Sequence, residues 1–471
     1  MSYDLRTEVM GRDPVGPLLF RFSIPSIIGL LANALYNIVD RMFIGRIVGS
    51  HGLTAVTVAF PFFALAITLG ILVSVGASSL VSRSLGRREM ELSENVLSNA
   101  FVLAIIAGFS LALSGLFFGK HFLRLFGASE NVLGEALVYL RIIALGMPFL
   151  LVNFVLNGLI RAEGAPRWAM GVMLIGMLTN ISLDWLFIAR MGWGVRGAAW
   201  GTAIAQAAAI FWVFLFYARH STLKIRARLL PLQKRIVLPI VKVGISPGLL
   251  ELSFVTLLVL LNRIMGSLGG DIAISAVGIF FSLDSLFYLP ALGIGDGAQP
   301  LIGFNYGAGR MDRVRKIVML AIAFAAGIFT FFWAVAEIFP VFLVGLFSRG
   351  DPELTALAVR SIRLGYMLLP LASLFVVTSY TFQAIGKARA TFVLQVVRQL
   401  VLFFPMLIIL PRFIGINGAW LSFPFMDASG FLLALWMLGA EMKRWENPLG
   451  HHKKGSQTPT GQCNTKKAAP D

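Results

Sequence analysis

Hydrophobic residues fall along this chain in long blocks parted by short polar breaks. Six blocks cover about 18–43, 53–75, 95–117, 136–158, 168–190 and 196–217. Six more cover about 237–263, 273–296, 317–340, 356–382, 391–411 and 418–440. A bilayer core of about 30 Å takes about 20 residues of α-helix, so each block is long enough for one crossing. The pattern predicts an all-α integral membrane protein with about twelve transmembrane helices.

Composition sharpens the picture. Of 471 residues, 57% are hydrophobic and 13% charged, and the mean hydropathy is +0.81. A soluble chain carries roughly 25% charged residues, and too little charge remains here to cover a globular surface. No loop between blocks has room for a nucleotide-binding module, and no GxxxxGK[ST] phosphate loop occurs. Transport driven by the protein's own ATP hydrolysis is therefore disfavoured.

The net charge of +17 is not spread as a nucleic-acid surface would be. Arg83, Arg87, Arg88, Arg161 and Arg167 fall in one set of alternate loops, as do Arg219, Lys224, Arg226, Arg228, Lys234 and Arg235. Arg310, Arg313, Arg315, Lys316, Lys387 and Arg389 join them, whereas the other loops hold only a few cations such as Arg46, Lys120 and Arg196. By the positive-inside rule both termini are expected in the cytoplasm, which needs an even number of crossings. The expected layout is a cytoplasmic N-terminus (1–17), an N-lobe (18–218), a basic cytoplasmic linker (219–236), a C-lobe (237–440) and a disordered basic tail (441–471). The single cysteine, Cys463, lies in that tail, which excludes an intramolecular disulfide. The tail's adjacent His451 and His452 read as solvated side chains rather than metal ligands, and Asp4, Glu8 and Asp13 argue against a cleavable signal peptide.

The two halves of the chain resemble each other at an offset of 221–222 residues. Thr54-Ala55-Val56 with Phe60 returns as Ser275-Ala276-Val277 with Phe281, and Gly76, Gly86 and Gly164 return as Gly297, Gly307 and Gly386. Pro148 matches Pro370, and Pro25 in the first block matches Pro247 in the seventh. With six crossings each, both units enter the membrane the same way round, giving a pseudo-two-fold axis along its normal and a natural cavity between halves. Pro25 and Pro247 each remove a backbone hydrogen bond, and serve either as fixed bends or as hinges.

A carboxylate inside a crossing costs about 2.5–3.5 kcal/mol, so its presence needs a reason. Asp40 shares a helical stripe with Asn33 and Asn37, and Asp184 shares one with Asn180. The assigned topology puts both aspartates in the outer half, with Thr202 at a similar depth. A carboxyl withdrawn from water among amides is suited to exchanging a proton near neutral pH. The plainer alternative pairs Asp40 with the adjacent Arg41. Glu251, Asp284, Asp296 and Asp427 line the second half with Arg398, for which a structural ion pair is the expectation; the repeat partner of Asp40 is Asn262.

Several strings then point to a family. YNIVDRMFIGR in the first block, GASSLVSRSLG closing the second, NGLIRAEGAPRWAM, TNISLDWLFI and GVRGAAWGTAIAQ resemble multidrug and toxic compound extrusion (MATE) transporters. FQAIGKAR, VVRQLVLFFPMLIILP and GINGAWLSFPFMD look like the MepA-like branch, and the resemblance covers roughly residues 14–440. It implies two six-helix lobes of the MOP superfamily architecture, exporting amphipathic, mostly cationic drugs in exchange for H⁺ or Na⁺ by alternating access. It also implies an N-lobe ion site formed by Asp40, Asn157, Asn180, Asp184 and Thr202, with Na⁺ admissible at Asp40, Asn180 and Asp184. Asn157 fits less well, because its place in the fourth block is deeper than the others. A C-lobe ion site is in doubt: many relatives have a glutamate at the position of Val255, and Glu251 lies only one turn after Pro247.

Substrate is expected between the lobes, against Asn33, Tyr36, Asn37, Tyr139, Asn153 and Met173, since aromatic rings with carboxylates suit lipophilic cations. No cofactor, enzyme activity or nucleic-acid partner is expected, and the chain should act as a monomer within the lipid bilayer of the plasma (inner) membrane. A lipid-linked precursor flippase of the same superfamily is the alternative. A channel is disfavoured by the duplicated units and the lack of a filter-like loop.

Overall fold

The computed structural model describes residues 3–347 and 351–446, and the chain there is helical nearly throughout. The first half holds α1 (Tyr3–Arg12), α2 (Val15–Phe43), α3 (Ser50–Gly86), α4 (Met90–Leu125), α5 (Glu130–Ala162), α6 (Pro166–Asp184) and α7 (Val195–Arg219). The second holds α8 (Lys234–Gly307), α9 (Met311–Ile338), α10 (Pro340–Gly345), α11 (Pro352–Gly365), α12 (Ala372–Ala384), α13 (Ala388–Val396), α14 (Phe404–Ile414) and α15 (Ile416–Glu446). An unbroken helix of the 74 residues of α8 would reach about 110 Å, far beyond a bilayer core of about 30 Å. Gly270 divides it instead, with φ 61° and ψ −152°, into arms 234–269 and 271–307. Among the described residues ten helical tracts are long and apolar enough to cross a membrane, the bent pair α11–α12 makes eleven, and the break in α8 brings the tally to the expected twelve.

Two expectations change. The block at 356–382 is not one helix: α11 and α12 meet at 42° around the turn Leu369–Leu371. Pro370 contributes to this, because it has no N–H to donate and its ring crowds the carbonyl of Tyr366. At the matching place α5 runs on through Pro148, as α2 does through Pro25 and α8 through Pro247. The second change is at the C-terminal end, where residues 441–446 belong to α15 rather than to a structureless tail. Glu441 is buried there, accepting hydrogen bonds from Lys387 Nζ at 2.5 Å and Trp445 Nε1 at 3.0 Å. Cys463, His451 and His452 lie outside the described residues.

The duplication is written into the backbone as well as into the sequence. Positive φ occurs at Gly49 and Gly270, at Arg88 and Gly309, at Gly164 and Gly386, and at Gly194 and Gly415, each pair 221 or 222 residues apart. The second pair closes α3 and α8 in the same way. Arg88 N–H donates to Leu85 O at 3.0 Å and Glu89 N–H to Ser84 O at 2.9 Å; Gly309 N–H donates to Tyr306 O at 3.1 Å and Arg310 N–H to Asn305 O at 2.9 Å. Both are Schellman caps, whose left-handed residue is normally glycine.

The lobes meet through α2 and α3 against the two arms of α8. Small residues let backbone approach backbone, the usual basis of helix packing where no water drives association. A Cβ on Gly86 would strike the Phe304 carbonyl, and one on Gly307 would strike that of Arg83; the pseudo-two-fold turns one contact into the other. Gly76 sits likewise against Ile240 O, and Gly244 against Leu72 O. Polar contacts finish the join: Ser79 Oγ donates to Gln383 O, Asn305 Nδ2 to Met10 O at 3.0 Å, and Arg313 to Asp13 O at 2.8 Å. Arg161 pairs with Asp296 at 3.7 Å. Each of these polar contacts lies toward the face that carries α1 and the linker, so the lobes are closed on that linker face.

The linker itself is strapped along the start of α4. Arg226 pairs with Glu94 at 2.6 Å, Asn99 Nδ2 donates to Leu229 O at 3.1 Å, and Gln233 N–H donates to Asn99 Oδ1 at 2.9 Å.

Candidate functional site

Asp40 lies near the end of α2 remote from the linker face, and Asp184 is the last residue of α6. One helical turn after Asp40 and directly after Asp184, the helix loosens into a π-helical turn, Ile44–Val48 and Trp185–Arg190. Such turns are rare and recur at functional sites. Packing of α2 on α6 brings the two carboxyl groups within hydrogen-bonding reach of each other. Asp184 and Asn180 are 0% and 1% exposed, so neither faces bulk solvent. Gly201 of α7 has no side chain to fill this space: a Cβ there would lie 2.6 Å from Asp184 Oδ1.

The electrostatics of the pair follow from what surrounds it. No donor reaches Asp40 Oδ1, either oxygen of Asp184, or Asn180 Oδ1 among the described residues. Asn180 Nδ2 donates to Thr202 Oγ1 at 3.4 Å, which leaves the amide oxygen as a further acceptor. Arg41 forms no ion pair with Asp40 among the described residues, although its charge acts on it; its guanidinium lies over the Phe60 ring, 5.6 Å from the centroid. Two carboxylates in contact without a donor repel strongly in a low-dielectric site. A proton shared between them, or a cation held by this oxygen set, relieves that repulsion.

Beside the pair, a cavity of about 410 Å³ opens in the N-lobe. Of the expected site residues, Asn33, Tyr36, Asn37, Asn153, Asn157, Met173, Asn180 and Thr202 line it. Asp40 and Tyr139 line instead a small side pocket of about 40 Å³, which shares Tyr36, Asn37, Arg41 and Thr202 with the cavity. The cavity is not evenly shared between lobes as expected: among the described residues Ser285 is the one C-lobe residue on its wall. Asn157 stands at the inner end, donating to Ala169 O at 2.9 Å and accepting from Arg161 at 3.3 Å. It thus ties α5 to the first turn of α6 and belongs to the cavity floor, apart from the carboxylate pair.

Other lining residues were not singled out from sequence. Gln206 accepts from Asn153 Nδ2 at 3.0 Å, and Phe60, Phe63, Phe154 and Met177 give the wall its apolar body. A glutamine one turn after Thr202 was the available signal; phenylalanines in an apolar helix carry none. In the C-lobe, Arg398 forms the expected ion pair, with Asp427 at 3.1 Å, and lies 3.9 Å over the Phe375 ring.

Comparison with known proteins agrees with this architecture. The family model MatE matches residues 25–186 and again 248–409, one match per lobe. The multidrug export protein MepA of Staphylococcus aureus (strain bovine RF122 / ET3-1) is 30% identical over 412 residues, covering 86% of this chain and 90% of that protein. A crystal structure of MATE in the bent conformation matches with 25% identity and a TM-score of 0.88, over 94% of this chain and 99% of that one. One in the straight conformation matches with 26% identity and a TM-score of 0.86, over 93% and 98%.

Proposed function

The chain belongs to the MatE family of multidrug efflux transporters, and from that premise we propose that it is a secondary active antiporter coupled at Asp40 and Asp184. The observation that carries this is the pair itself: two buried carboxyl groups in reach of each other with no donor between them. The linker face is cytoplasmic, because the arginines and lysines gather there. The state described is then closed to the cytoplasm, and the N-lobe cavity is where an amphipathic compound carrying a basic amine is released outward. A proton arriving from outside discharges the pair, removes its hold on the amine and relaxes the contact between α2 and α6. Pro25, which interrupts the hydrogen bonding of α2, is the place where that helix bends in response, with Pro247 as its counterpart in α8.

The coupling ion is H⁺, with Na⁺ the alternative that the same oxygen set admits. A lipid-linked precursor flippase is disfavoured, since the similarity runs to multidrug export proteins over most of the chain.

The test is efflux of a fluorescent amphipathic amine from cells expressing wild type, Asp40→Asn or Asp184→Asn, with and without a protonophore. Wild-type efflux should stop when the proton gradient collapses, and each variant should lose at least about tenfold, the scale of one charge-assisted contact. Unchanged efflux in both variants sinks the assignment. Replacing Na⁺ at constant pH separates the two ions.

A further inference from the structure

Among the described residues one ion pair crosses between the lobes: Arg161, in the last turn of α5, with Asp296 in the second arm of α8, at 3.7 Å. Arg161 also lies on the cavity wall beside Asn157, so the pair stands at the cavity's inner end. Asp296 falls between two glycines that seat α8 on α2. A Cβ on Gly293 would be 2.8 Å from Ile27 Cα, and one on Gly297 would be 2.6 Å from Ser23 N. The two approaches bracket Pro25, which puts the pair at the level of that proline.

Each partner has a second hold within its own lobe. Arg161 donates to Asn157 Oδ1 at 3.3 Å, and Asn157 Nδ2 donates to Ala169 O in the first turn of α6 at 2.9 Å. Asp296 is within hydrogen-bonding reach of Tyr380 on α12, whose ring lies where a side chain on Gly295 would go. Parting the lobes therefore breaks one contact and leaves each charge held. Exposure points the same way. The side chains of Arg161 and Asp296 are 18% and 15% exposed, against 7% and 4% for Arg398 and Asp427. A partly wet pair regains water as it separates, whereas separating a dry one leaves bare charge in the interior. The C-lobe pair suits permanence, and the inter-lobe pair suits repeated opening. The far end of α6, whose first turn Asn157 holds, is Asp184, and a rigid helix carries a displacement from one end to the other.

We propose that Arg161 and Asp296 are a reversible lock between the lobes, and that Asn157 makes this lock answer to α6. The three are positioning residues for transport. Their response to α6 rests on the proposed coupling at Asp40 and Asp184; the lock itself does not.

The test reads the lobes directly, by double electron–electron resonance between spin labels on α3 and α8 at the linker face, with the full chain in nanodiscs. Asp296→Asn and Arg161→Gln should each raise the ratio of open to closed molecules by about fivefold or more, the lower end of coupling between sites. The double variant should open no further than the singles, since each removes the same contact. Glu89→Gln breaks an exposed pair with Arg87 at the same face and should change nothing. An unchanged distribution in Asp296→Asn overturns the lock, as do openings that add in the double variant or an equal opening in Glu89→Gln. Asp184→Asn, standing for the discharged pair, should shift the distribution in an otherwise wild-type chain but not once Asn157→Ala is added. A shift that survives Asn157→Ala overturns the role of Asn157 alone. No shift from Asp184→Asn overturns that role together with the coupling at the aspartates, while Asp296→Asn still decides the lock.

Discussion

Gly201 holds open the space that Asp184 occupies. A methyl group there would stand 2.6 Å from Asp184 Oδ1, and the carboxyl would have to move away from Asp40. Gly201→Ala is therefore expected to lower proton-coupled efflux by at least about tenfold, because placement errors of this size are costly in a preorganised site. It does so without altering any titratable group. Gly278→Ala, where a Cβ meets nothing within 4 Å, should keep wild-type efflux, and the two variants should express and elute alike on size-exclusion chromatography. Asp40 and Asp184 were legible in the sequence because a charge inside an apolar block is expensive. Arg41 was read there only as an alternative partner for Asp40, and its place on the cavity wall was not legible. Phe60 and Phe154 were silent for the opposite reason: in a chain this apolar, a phenylalanine on a cavity wall looks like one facing lipid.

Among the helices, glycine contact rather than charge decides where the lobes touch. Gly244 meets Leu72 O and Gly76 meets Ile240 O, backbone against backbone, where a larger residue has no flexible neighbour to displace. Gly244→Leu should wedge the first arm of α8 away from α3 and shift the population toward a state open on the linker face. Double electron–electron resonance between spin labels on α3 and α8 at that face should show a longer distance in the variant. An unchanged distribution would refute the packing argument. The helices themselves could be read from hydrophobic blocks, but their ends could not. α15 runs to Glu446 because Glu441 is the buried partner of Lys387, a contact between helices far apart in sequence. The bend between α11 and α12 also escaped a reading by hydropathy, although Pro370 was visible: its counterpart Pro148 sits in an unbroken helix, so proline alone does not decide.

The molecule as a whole joins a symmetric scaffold to asymmetric chemistry. Its cationic excess, legible from the start as an orientation signal, is partly consumed in ion pairs such as Arg226–Glu94 that pin the linker to α4. Backbone conformation repeats through four pairs of positive-φ residues, yet Asn262 stands where the second lobe would need Asp40. The C-lobe invests its buried charge instead in Arg398 and Asp427, a pair whose breaking by removal of one partner costs about 3–5 kcal/mol. The carboxylate pair without a donor lies in one lobe, and the buried ion pair in the other.

If coupling rests on the N-lobe aspartate pair, as proposed, the electrical behaviour of the cycle follows from the charge of the cargo. If one proton enters while one electrically neutral zwitterion leaves, each turnover carries one positive charge inward. A potential of 100 mV then supplies about 2.3 kcal/mol per turnover, enough to hold roughly a fifty-fold concentration ratio with no pH difference at all. A valinomycin-imposed potential across proteoliposomes at equal pH should drive accumulation of the zwitterion, with a matching current on a solid-supported membrane. A singly charged amine should produce no current, because its exchange for a proton moves no net charge. A symmetric transporter with an aspartate pair in each lobe would double the proton count and lose that distinction, so the missing second pair makes membrane voltage a driving force that depends on the cargo.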